Sequence, residues 1–103
     1  MAARREVEAA LRHLAPRIPD FEFGAVADHA MISPGLSMAT PEQAAWLSMT
    51  AYIRHALTEY DDLLDDGYDR ESARHFVLDA INEHLQAWGV KRRLSEDGDA
   101  PKD

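Results

Sequence analysis

Apolar side chains recur between residues 45 and 64 at intervals of three and four. Ala45, Met49, Tyr52, Ala56, Tyr60 and Leu63 form one row, which Trp46, Ile53, Leu57 and Leu64 widen. At about 100° per residue these positions share one broad arc. Arg54, His55, Thr58, Glu59, Asp61, Asp62, Asp65 and Asp66 fall opposite. The split predicts an amphipathic helix with one buried side. Thr40-Pro41-Glu42-Gln43 marks its start: Thr40 can accept the N–H three residues on, Gln43 can reach back, and Pro41 sits where a missing N–H costs nothing. Asp66-Gly67 marks its end, because glycine takes a left-handed cap without steric cost. A helix of about 25 residues is long for a small domain and is the expected scaffold.

A second helix is predicted from Arg70 to Trp88, with Asp69 as its N-cap and Gly89 as its stop. Ala73, Phe76, Val77, Ala80, Ile81, His84, Leu85 and Trp88 form its apolar arc; Glu71, His75, Asp79, Asn82, Glu83 and Gln86 form its polar one. So short a connection, Asp66-Gly67-Tyr68-Asp69, predicts antiparallel neighbours. Residues equidistant from the turn then face each other: Asp61 with Arg74, Asp65 with Arg70, Leu57 with Val77 or Leu78, and Trp46 with Trp88.

Upstream, residues 1–15 read as a helix with Val7, Leu11 and Leu14 on one face, broken by Pro16 and Pro19. Asp20 is the expected N-cap of the next helix. Its row is Phe21, Ala25 and Ile32, broadened by Phe23, Val26, Ala27 and Ala30. Ser33-Pro34-Gly35 ends it, and Leu36 and Met38 are expected to fold back on the core. After Gly89 the chain is charged and short of apolar residues, so 91–103 reads as a disordered tail. No alternating strand pattern occurs. The expected fold is therefore all-α: a small four-helix domain, residues 1–90, built on a long antiparallel helical hairpin over 40–89.

The 103 residues fit one domain with one modest core. No stretch approaches the roughly 20 apolar residues of a membrane span, and the N-terminus lacks the apolar centre of a secretory signal. Cysteine is absent, which excludes disulfides, thiolate zinc sites and a cysteine nucleophile. A cytoplasmic location is the expectation. The net charge of −8 is concentrated: seven acids and one base between Glu59 and Glu71 carry −6 of it. That field repels nucleic-acid phosphates and anionic lipid heads, so neither nucleic acid nor membrane is expected as a partner.

Several residues have types and spacings that bear on chemistry. His55/Glu59 and His75/Asp79 each have the four-residue spacing of a bidentate metal site, but the hairpin register holds the two pairs apart. The acids from Asp61 to Asp69 come in helical pairs and do not match a calcium-binding loop, in which oxygen ligands alternate around a glycine at the sixth position. No metal or cofactor is expected. His84 lies within an apolar arc, as core histidines do. Asp61 with His55 has the makings of an acid–base pair, against which stands its expected bond to Arg74. Arg54, His55 and Thr58 form a polar cluster able to take a carboxylate or phosphate through the arginine fork.

Arg54-His55-x-x-Thr58-x-Tyr60-Asp61-x-Leu63-Leu64, followed by Gly67-Tyr68-Asp69-Arg70, Ala73-Arg74 and Trp88, resembles the family catalogued as domain of unknown function 2293. The resemblance covers roughly residues 45–90, and this chain has Tyr52 where the family often has histidine. It implies a helical hairpin and no particular reaction, and it singles out Arg54, His55, Thr58, Tyr60, Asp61 and Arg74 as binding candidates. The sequence favours a non-catalytic protein-interaction or assembly module, with a protein partner or a second copy as its ligand. The alternative is an enzyme or metal-dependent protein working through Arg54, His55 and Asp61. Nucleic-acid binding would need Arg4, Arg5, Arg12, Arg17 and Lys91–Arg93 gathered on one face.

Overall fold

A computed structural model describes residues 3–36 and 38–95. It contains five α-helices: α1 (Arg4–Leu14), α2 (Asp20–Ile32), α3 (Pro41–Ala56), α4 (Tyr60–Asp65) and α5 (Arg70–Ala87), with a 3-10 turn at Pro34–Leu36. No strand occurs among the described residues, and none of the described helices is long and apolar enough to cross a membrane.

Helix α3 is the centre, packed against all four other helices. It buries Ala44, Ala45, Trp46, Ser48, Met49, Thr50 and Ile53, a wider arc than the apolar row alone. The small side chains Ala44, Ala45 and Ser48 make this possible, because they let neighbouring helices approach its backbone. Around it, α1 contributes Val7 and Leu11, α2 contributes Val26, Ala27 and Ala30, and α5 contributes the four-spaced row Ala73, Val77, Ile81 and Leu85. Each fully buried Leu, Ile, Val or Met contributes about 1.5–3 kcal/mol.

The local signals at helix ends act as the sequence predicts. Thr40 accepts from the Gln43 backbone N–H at 3.2 Å while the Gln43 side chain accepts from the Thr40 N–H at 3.0 Å. Asp69 caps α5 by accepting from the Ser72 N–H at 2.8 Å. Gly67 and Gly89 both have positive φ, +100° and +83°. Each sits in a paired C-terminal hydrogen-bond motif, Tyr68 N–H to Leu63 O with Gly67 N–H to Leu64 O, and Val90 N–H to Leu85 O with Gly89 N–H to Gln86 O.

Four expectations change. The long scaffold helix is two helices, interrupted at residues 57–59, so the described residues form five α-helices rather than four and the hairpin is not one continuous pair. Asp61 does not meet Arg74, nor Asp65 Arg70; Asp61 pairs with His55 instead. On α2 the row Phe21, Ala25 and Ile32 does not form the core face. Phe21 and Ile32 are each 77% exposed, and the buried side is Val26, Ala27 and Ala30, whose smaller side chains fit closer against α1 and α3. Met38 is likewise exposed, while Leu36 packs on the core.

Part of the segment expected as tail packs on the domain. Val90 and Leu94 are buried, and Leu94 is held by Asn82 of α5, whose side-chain N–H donates to the Leu94 carbonyl at 3.0 Å and whose oxygen accepts from the Leu94 N–H at 2.8 Å. Residues 96–103 of the expected tail lie outside the described residues.

Candidate functional site

The polar residues of the Arg54–Asp61 segment meet at the interruption between α3 and α4. Thr58 causes it. Its hydroxyl donates to the Arg54 carbonyl at 2.5 Å and accepts from the Tyr60 N–H at 3.2 Å. One side chain thus closes α3 and opens α4, the competition with backbone bonding that makes threonine a poor helix-interior residue. Leu57, at φ −119° and ψ 5°, leaves the helical conformation there.

This break builds the site. In an uninterrupted helix His55 and Asp61 would lie roughly 120° apart around the axis and about 9 Å along it. Instead the His55 Nδ1 is 2.7 Å from an Asp61 oxygen. Both side chains are more than half exposed, so the pair adds less than about 1 kcal/mol and chiefly orients the ring. Tyr60 is drawn inward to 3% exposure and becomes the hub. His55 packs edge-on against its ring at 5.3 Å, and the Arg54 guanidinium lies 5.7 Å from the ring centre.

Arg54 is the most perturbed group of the cluster. Burial pushes its guanidinium below the ordinary arginine value, and the positive charge of nearby Arg74 on α5 adds to the effect; Tyr60 partly opposes it. Its Nε is sealed from solvent without a hydrogen-bond partner, an arrangement that ordinarily costs about 1–3 kcal/mol. Among the described residues neither Arg54 nor Arg74 has an ion pair. His29 of α2 borders the same region: burial first, and His55 second, lower its pKa from the ordinary histidine value, and its Nδ1 is also buried without a partner. Tyr52 turns away, its hydroxyl donating to Glu22 at 3.1 Å.

The six sequence candidates are thus brought together in part. Arg54, His55, Tyr60 and Asp61 form a connected group, Thr58 is its structural brace, and Arg74 approaches it from α5 through charge alone. No group of three or more histidine and acidic side chains able to hold a metal occurs among the described residues. A cavity of about 470 Å³ lies elsewhere, between α1, the start of α3 and the C-terminal segment, lined by Ala10, His13, Leu14, Trp46 and Arg92 among others. It contains none of the six.

Residues 10–89 match the family described as uncharacterized conserved protein (DUF2293). The chain belongs to that family. The DUF2293 segment is longer than the 45–90 stretch that carries the visible motif: it takes in the end of α1 and all of α2, and with them His29. No curated protein and no solved structure matches the chain. The DUF2293 match names no activity and leaves the chemistry to be read from the site.

Sequence reasoning missed His29 and the interruption itself. A signal for the second exists: Thr58-x-x-Asp61 has the spacing of a helix-starting capping motif, masked by the unbroken apolar period around it. No local signal marks His29, whose neighbourhood is created by α2 packing on α3.

Proposed function

We propose that this domain is a non-catalytic protein-interaction module whose docking surface is the outer face of α2. The observation that carries the reading is that α2 is apolar on both sides. Val26, Ala27 and Ala30 face the core, while Phe21 and Ile32 stand 77% exposed opposite them. Phe21 and Ile32 are eleven residues apart, which places them within about 20° of each other around the axis and about 16 Å apart along it. Ala25 between them leaves a shallow step, so two bulky anchors flank a small residue, the arrangement used when a helix is received in a partner's groove. Asp28 on this side is ion-paired to Arg4 at 2.7 Å, which lessens the cost of covering it.

The test compares the wild type with a Phe21→Asp/Ile32→Asp variant. Both positions are exposed, so the melting temperature should hold. Light scattering and affinity capture from cell lysate should show a partner, or a second copy, that the variant loses. Identical capture by both proteins, or a wild type that stays monomeric and alone, would refute the reading.

A second reading draws on the 2.7 Å His55–Asp61 contact. A carboxylate that orients an imidazole is the arrangement of a general base, which supports an enzymatic role for the pair. Loss of a measured turnover in His55→Gln, with the fold intact, would favour it over the docking role.

A further inference from the structure

We infer that the exposed aromatic corner formed by Tyr68 and Phe76, where the α4–α5 turn runs into α5, is a docking point for the lysine and arginine side chains of a basic protein segment. This surface is separate from that of α2. Three observations support it.

The first is the corner itself. The apolar spacing of α5 puts Phe76 beside the core row, yet the helix buries Ala73, Val77, Ile81 and Leu85 and leaves Phe76 59% exposed. Tyr68, 45% exposed, meets it from the turn with ring centres 5.4 Å apart and planes 80° from parallel. His75 adds a further edge contact to Phe76 at 6.0 Å. Single exposed apolar side chains are ordinary, whereas aromatic rings in contact at the surface make a patch. Two nearly perpendicular rings wall a corner with their π faces, the negative part of the ring quadrupole, and such faces attract cations.

The second is the charge around the corner. Asp69, Asp79 and Glu83 are exposed and lie within about 60° of Phe76 around the α5 axis. Arg70 and Arg74, the two arginines of α5, lie more than about 100° away. Asp65 and Asp66, where α4 ends before the same turn, are exposed as well. An aromatic patch rimmed by acids is complementary to a partner that brings positive charge.

The third is length. Asp69 and Glu83 are fourteen residues apart, about 21 Å along the helix, with Phe76 midway at about 10 Å from each. That row matches several cations spaced along a polypeptide better than one small amine. The same acids repel the phosphates of nucleic acids and anionic lipids, which leaves a basic segment of a protein as the fitting class.

The test is a titration of the isotope-labelled protein with pentalysine and pentaarginine peptides at constant ionic strength, followed by NMR at the Tyr68 and Phe76 rings and the backbone amides of residues 68–83. Saturable shifts confined to these groups are expected, with pentaglutamate inert. Phe76→Leu and Tyr68→Leu keep apolar bulk and lose the ring; both positions are exposed, so the melting temperature should hold. Each should weaken peptide binding by about two- to fivefold. Asp79→Asn/Glu83→Gln should weaken it by about twofold or more and flatten its salt dependence. The Phe21→Asp/Ile32→Asp variant should bind the peptides normally, so failure here and failure of the α2 surface are distinguishable. Shifts that do not saturate, or binding that Phe76→Leu and Tyr68→Leu leave unchanged, would reduce the surface to diffuse attraction and overturn the inference. Binding of free trimethyl-lysine or spermidine as tight as that of the peptides would overturn the assignment to a protein segment.

Discussion

Asn82→Ala removes the clamp that holds the C-terminal segment to α5. In the native protein the Asn82 amide satisfies both backbone groups of Leu94, at 3.0 and 2.8 Å, and both residues are at least nine-tenths buried. Truncation leaves a buried N–H and a buried C=O unpaired, each costing about 1–3 kcal/mol. The segment can escape that cost by peeling into water, but it then loses the burial of Val90 and Leu94, roughly 1.5–3 kcal/mol apiece. Either route destabilises the domain by about 2–6 kcal/mol. For a domain of this size each kcal/mol moves the melting temperature by about 4–8 °C, so a fall of at least about 8 °C is expected. Asn82→Leu fills the volume without the bonds and should fall almost as far. Peeling also withdraws Arg92 from the face of Trp46, where it lies 4.1 Å from the ring, and shifts the tryptophan emission to longer wavelength. Urea unfolding followed by circular dichroism and fluorescence reads both effects. A variant within about 0.5 kcal/mol of wild type, with unchanged emission, would show that the amide does not hold this segment in solution.

Two further outcomes are expected, read by thermal unfolding. Gly89→Ala should destabilise more than Gly67→Ala. Both have positive φ, worth about 1 kcal/mol against alanine, but a Cβ at Gly89 would stand 3.1 Å from the Pro16 ring, while one at Gly67 meets nothing within 4 Å; equal losses would contradict this packing. His29 adds a pH dependence. Burial holds its folded-state pKa below the ordinary 6.5, so its contribution to stability is present above that value and falls as pH drops through it. His29→Gln should therefore lose less stability than wild type between about pH 7.5 and about pH 5.5, and parallel curves would show that His29 is not buried in its neutral form.

The features legible in the sequence were those whose cause is local. The Thr40–Gln43 box, the Asp69 cap and the two glycine stops each depend on a few adjacent residues, and each forms as read. The errors share one origin, which is that apolar periodicity reports a face without reporting what covers it. Phe21 and Ile32 have the right spacing for a core row, yet α2 turns its smaller residues inward because Val26, Ala27 and Ala30 allow closer packing on α1 and α3. The unbroken period through Leu57 hid the stop that Thr58 imposes. Asn82 looked like part of a solvated face because its partner, Leu94, lies twelve residues on, in a segment with little apolar content of its own. At the site, the motif was visible as letters, whereas the His55–Asp61 bond exists only because the helix breaks between them.

The link between the α1–α2 linker and the end of α5 bears on how the domain assembles. The Arg17 N–H donates to the Trp88 carbonyl at 2.9 Å, and Pro16 lies against Gly89. Helices α2 to α5 therefore form a ring of chain sealed at one point. Closing a loop of about 70 residues carries an entropic cost that nearer contacts do not. The turn between α1 and α2, though made early in synthesis, finds its last partner only after almost all the later helices have emerged. Early helices thus wait on late ones, and the domain completes itself as a unit rather than from one end to the other.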